Sequence, residues 1–245
     1  MPRFPWKLCM TVFTRLCLCL GLTLGGCAAV PQNQVAPVTL PSPVNEAQKP
    51  SVHVSVSHYF GSPLPHQLAG SLKGAGLETD TQRLQRLAAL SPLAPVGVQQ
   101  NTTQQVRQIL DETGLFAHVS MNGEAVRPGD YQLDLSVYTY WPFSAGEALA
   151  SMATLVTLGL VPSSRPQEFK LILSLHGPDK QPLAWAANSD AIDQRVGLVN
   201  LVRLGDTEEK AEYDTLKRQV NALLLNAVQR GLIPELTQAS EARHG

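Results

Sequence analysis

The chain predicts a small α+β domain: a mostly antiparallel sheet, two main helices on one face, a helical insertion and a disordered N-terminal tether. Three observations carry this. Residues 131–141 alternate, with Tyr131, Leu133, Leu135, Val137, Thr139 and Trp141 on one side and Gln132, Asp134, Ser136, Tyr138 and Tyr140 on the other. A second alternator, Phe169, Leu171, Leu173 and Leu175, turns at Gly177-Pro178-Asp179-Lys180 and returns through Leu183, Trp185 and Ala187, which reads as a hairpin. Two segments repeat apolar residues at helical spacing and end at glycine: Val106, Ile109 and Leu110 before Gly114, and Leu216, Val220, Leu223, Leu224, Ala227 and Val228 before Gly231.

The remaining elements follow in chain order. Arg3, Lys7 and Arg15 supply positive charge ahead of the apolar run 16–24, so residues 1–26 read as a secretory signal, too short to span a bilayer stably. Met10 offers a second start codon position that leaves the same mature chain. Residues 28–50 hold five prolines, two charges and no aromatic residue, so 27–50 is expected to be a flexible tether. The single folded domain spans 51–236. Val52, Val54 and Val56 open it with a strand, and 61–100, broken by Pro63, Pro65, Gly70, Gly74 and Gly76, reads as an insertion with a short helix at 82–90.

Asn101 with Gln104 suits the start of the first main helix, and a strand is expected at 116–121 before the Asn122-Gly123 turn. Asp206 with Glu209 suits the start of the second, Pro234 reinforces its stop, and 237–245 reads as a disordered tail. Between two strands, 148–164 carries no charge; within the wider 145–163 segment, Leu155, Leu158 and Leu160 are candidates for contact with a membrane or a partner. Tyr138 and Tyr140, in the densest aromatic group, are candidates for the same role.

Charge and cysteine content narrow the function. Removing the signal's three cations from 19 leaves 16 against 20 anions, a net charge of −4 on the mature chain. Such a surface makes nucleic acid an unfavourable partner, because phosphate binding needs clustered cations. Cys9, Cys17, Cys19 and Cys27 all lie at or before the expected cleavage site, so the mature chain has neither a disulfide framework nor a cysteine metal site. His53 and His58 are five apart on a strand and face opposite ways. No metalloprotease, nucleophile-elbow or phosphate-loop motif occurs, and Asp134 with Asp190 or Asp193 offers the one conceivable acid/base pair. No cofactor is expected, and the chain does not read as an enzyme.

Leu24-Gly25-Gly26-Cys27 resembles the lipobox of bacterial lipoproteins. That resemblance implies cleavage before Cys27, a thioether-linked diacylglycerol on it, and an acylated amino group. With Ala28 next, it implies an outer-membrane lipoprotein facing the periplasm. The passage Gly114-Leu115-Phe116-x-x-Val119 and the stretch 157–163 between strands resemble the small α/β periplasmic lipoproteins of Gram-negative bacteria. These include penicillin-binding-protein activators and curli-secretion lipoproteins. The group implies a non-enzymatic accessory or adaptor for an envelope complex. The alternative it implies is an oligomerising lipoprotein that inserts 145–163 into a membrane. A periplasmic hydrolase is the third reading.

Overall fold

A computed structural model describes residues 27–41, 49–61, 92–142, 145–157, 163–196 and 207–236. Among these residues six strands and three helices follow in order: β1 (Cys27–Pro31), β2 (Ser51–Phe60), α1 (Val96–Thr113), β3 (His118–Met121), β4 (Tyr131–Tyr140), α2 (Ala145–Val156), β5 (Ser163–His176), β6 (Pro182–Val196) and α3 (Glu208–Gln229). The strands form one mixed sheet in the order β1-β6-β5-β4-β2-β3. β2 runs parallel to both neighbours, β3 and β4, while β4 and β5 are antiparallel. Parallel neighbours need long crossovers, and the chain between β2 and β3 supplies one that contains α1.

Contacts divide the chain into two compact units. The larger holds 31–142, 167–192 and 212–245; the smaller holds 1–30, 143–166 and 193–211. Within the larger, pairing in register places Val52 beside Tyr131, Val54 beside Leu133, Val56 beside Leu135, and Leu135 beside Leu173. Their shared face is the core, closed by Val106, Ile109 and Leu110 of α1 and by Leu216, Val220, Leu223 and Leu224 of α3. Both main helices therefore lie on one side of the sheet, as the alternation and the helical stripes predict. On the other side, Tyr59, Tyr138 and Ile172 form a second cluster against Trp185.

Several boundaries differ from the sequence expectation. α1 starts at Val96 after Pro95, so Asn101 lies inside the helix and caps nothing. Proline presets the backbone at a helix entrance, and Val98 and Gln99 donate to the Pro95 carbonyl. The helix ends as predicted, at Gly114 with φ +61°, followed by buried Leu115. At the start of α3, Thr207 takes the capping role, accepting the Lys210 N–H at 3.3 Å; Asp206 lies outside the described residues. Most of the predicted insertion, 62–91, also lies outside them, and its last residues belong to α1 and to a bridge between Leu93 and Tyr59. Of 145–163, the first 12 residues are α2 and Ser163 opens β5.

The proline-rich segment differs most. Residues 27–31 form an edge strand of the sheet. Gln32 then donates its N–H to the Ala191 carbonyl at 2.8 Å, and Gln34 donates to Asp190 Oδ1 at 3.0 Å. Leu40 packs on the core. A low-apolar stretch cannot build a core, but it can lie against one already built. Pro31 sits at the end of its edge strand, where a missing donor costs little.

Candidate functional site

Two buried polar groups are the first places to look for chemistry. His58 points from β2 into the helix side of the sheet, between α1 and β4. Its Nδ1 lies 2.8 Å from Thr102 Oγ1 and its Nε2 lies 2.8 Å from Thr139 Oγ1. The Thr102 hydroxyl already donates to the Val98 carbonyl at 2.9 Å. Its one proton is thus committed, and it must accept from Nδ1–H, leaving Nε2 to accept from Thr139. Burial lowers the imidazole's pKa to about 4, because a charge there would lose its hydration. The ring is neutral, held in one tautomer and saturated, which suits a core hydrogen-bond hub. His53 faces the other way and meets Ser120 Oγ at 2.9 Å, as the odd spacing requires.

Asp190 is the second group. One oxygen receives Arg218 Nη2 at 2.8 Å and Nε at 3.2 Å; the other receives the N–H groups of Gln34 and Ala191 at 3.0 and 2.8 Å. Arg218 comes from α3, so Asp190 points to the helix side of the sheet. Asp134 stands on the other side of β4, exposed, with His176 Nδ1 3.7 Å away. Opposite faces of one sheet cannot form the acid/base pair that the sequence left open for Asp134 and Asp190. Asp190 ties the N-terminal segment to β6 and α3.

A cleft of about 260 Å³ lies between residues 38–40, α1 and α3, lined by Val38, Leu40, Ile109, Glu112, Lys217 and Asn221. Its charges answer each other. Lys217 Nζ donates to Glu112 at 2.6 Å, with Gln108 and Tyr213 donating to the same carboxylate at 2.9 Å. Those hydrogen bonds, the one from Lys217 foremost, bring the Glu112 pKa down to about 2. Among the described residues no group of three or more His, Cys, Asp or Glu is placed to hold a metal.

The surface carries more information than the interior. In α2, Leu149, Met152, Leu155 and Val156 are each 63–80 % exposed, while Thr154 is 7 % exposed. Spacings of three, four and seven place these four on one side of the helix. The helix is turned inside out: its largest apolar side chains face water and a threonine faces in. They make up half of the eight large apolar side chains exposed among the described residues, on 12 positions. Burying each would be worth about 1.5–3 kcal/mol, so folding alone gives no reason to leave them outside.

A second apolar surface closes one end of the larger unit. Leu93 is 64 % exposed and Trp141 36 % exposed, and Trp141 packs on Phe60 with ring centroids 6.0 Å apart. Backbone bonds lock this end: Phe60 to Pro92, Ala94 to His58, and Gly61 to Thr139, each at 2.9 Å. Val96, also exposed, begins α1 beside them.

The predicted contact residues separate. Leu155 is exposed on α2. Tyr138 is a correction: it is fully buried and stacked on Tyr59 at 5.0 Å, and burial pushes its phenol well above the ordinary range. The register that sets Tyr138 directly across from Tyr59 makes it core on the second face. Tyr140 is half-buried and donates to Glu168. Cys27 opens β1, whereas Leu24, Gly25, Gly26, Leu158 and Leu160 lie outside the described residues. Trp141, which alternation groups with Leu133 and Leu135, sits past the end of β4, where alternation no longer dictates its direction. The signal for it was Pro142, which stops the strand one residue later. No protein-family model matches this chain, and no curated protein is significantly similar to it.

Proposed function

We propose that this protein is a lipoprotein of the cell envelope, anchored through acylated Cys27 in the outer membrane and facing the periplasm. There it acts as a non-enzymatic accessory that binds another envelope protein. The anchor rests on Leu24-Gly25-Gly26-Cys27 behind a charged and then apolar leader. The accessory role is carried by one observation: Phe60, Leu93 and Trp141 present an aromatic and aliphatic surface on a backbone locked by three hydrogen bonds. A rigid, partly exposed tryptophan beside aliphatic groups is the kind of anchor that dominates protein–protein binding energy. The saturated partners of His58 and Asp190 favour a scaffold role for those groups over proton transfer.

In-cell photo-crosslinking tests this reading. A crosslinker in place of Leu93 or Trp141 is expected to capture one envelope protein, and Cys27→Ala is expected to abolish the adduct by releasing the chain from its membrane. Adducts spread over unrelated proteins, or capture that is indifferent to Cys27, would overturn it.

A further inference from the structure

We infer that the outward side of α2 beds into the same leaflet that holds the acyl chains of Cys27. The inference rests on the lipid-anchor reading and adds a second, apolar point of attachment that no motif announces. The position of the anchor and the chemistry of α2 point to it. Residues 27–30 of β1, which begins at Cys27, belong to the same compact unit as α2. There is no slack in the anchor, because Gln32, five residues on, is already bonded to the Ala191 carbonyl. At about 3.3 Å per residue the docked backbone starts within roughly 17 Å of the lipidated sulfur. So short an anchor keeps the residues that follow Cys27 near the bilayer.

The chemistry of α2 fits that environment. Its sequence holds a single charge, Glu147, in the first turn, and its outward side carries Leu149, Met152, Leu155 and Val156. The hydroxyls of Thr154 and Thr157 donate to the Ala150 and Ala153 carbonyls, so these two groups are satisfied within the helix itself. Twelve residues at ~1.5 Å rise make ~18 Å, well under the ~30 Å hydrocarbon thickness. Among the described residues no helix is long and apolar enough to cross a membrane. A short helix with one apolar side lies in the plane of the interface. A net charge of −4 on the mature chain gives no general attraction to anionic headgroups, so apolar burial carries the contact.

The acylated chain gives a clean test, since it has no thiol other than the blocked Cys27. The full-length protein, processed in a Gram-negative host, would carry one of Met152→Cys, Leu155→Cys or Asp111→Cys, labelled with an environment-sensitive fluorophore. It would be reconstituted in phosphatidylethanolamine/phosphatidylglycerol vesicles with brominated acyl chains. Probes at 152 and 155 are expected to shift to the blue and to be quenched several-fold more than the probe on exposed Asp111 of α1. Mass spectrometry of the N-terminal peptide reports acylation separately. An acylated chain with wet, unquenched probes would overturn this inference and leave the anchor standing. Probes shielded from water yet unquenched by lipid would assign the surface to a protein or a second copy instead. An unacylated Cys27 would overturn the anchor, and the inference with it.

Discussion

α3 and α2 are both helices beside the same sheet's strands in sequence, and they spend their apolar residues in opposite ways. In α3, Leu216, Val220, Leu223 and Leu224 go inward and close the core. In α2, Leu149, Met152, Leu155 and Val156 go outward, and Thr154 goes in. Hydrophobic content is therefore a poor guide to burial here. What separates the two is where the polar residues stand, since α3 surrounds its stripe with charges and α2 has almost none to offer.

The comparison can be broken at several points. Arg218→Ala in α3 should have the largest effect, about 3–5 kcal/mol, because it strands the buried Asp190 carboxylate. Chemical denaturation should show it, along with faster proteolysis of residues 32–41, which Asp190 holds. Leu224→Ala should cost about 2–5 kcal/mol through the cavity it leaves. If Leu224→Ala proved as mild as a change in α2, the stripe of α3 would not be the core.

Acid sharpens the same division. His58 is held neutral with a folded pKa of about 4 against about 6.5 unfolded, so below pH 6.5 the unfolded chain binds the extra proton. Stability should be fully present above pH 6.5 and fall as pH drops toward 4, by up to about 3 kcal/mol. His58→Gln should flatten that part of a pH–denaturation curve. At the small end, Leu155→Ser in α2 should change the stability of the chain without lipid by no more than about 0.5 kcal/mol. A loss comparable to Leu224→Ala would mean that Leu155 is core after all. Lys217→Ala should cost less than about 1 kcal/mol, since its Glu112 pair lies in water.

Sequence made the middle of this fold legible and left its margins obscure. The faces of β2, β4 and β5 followed from alternation, because a residue with sheet neighbours on both sides has one inward direction. Gly114 and Gly231 marked helix ends because only a left-handed backbone, φ +61° and +67°, was needed there. The parallel pairing of β2 was hidden, since hairpin signals announce antiparallel neighbours and nothing local announces a crossover. The 27–41 segment was misread for a related reason: its partners, Asp190, Ala191 and the core near Leu40, lie far along the chain. At the surface, Leu155 was legible from the uncharged run around it. Leu93 was not, and Trp141 had only Pro142 to mark it, because each sits at an element boundary where periodicity stops.

Strand β1 also protects the protein from itself. β6 is 15 residues long, and without β1 it would offer an unpaired backbone edge along which another copy could add. The strand that covers part of it begins at Cys27, so a chain starting there keeps the cover whole. A chain trimmed a few residues further would keep its core and its buried ion pair but lose its guard. Its expected failure is strand-to-strand aggregation of folded molecules.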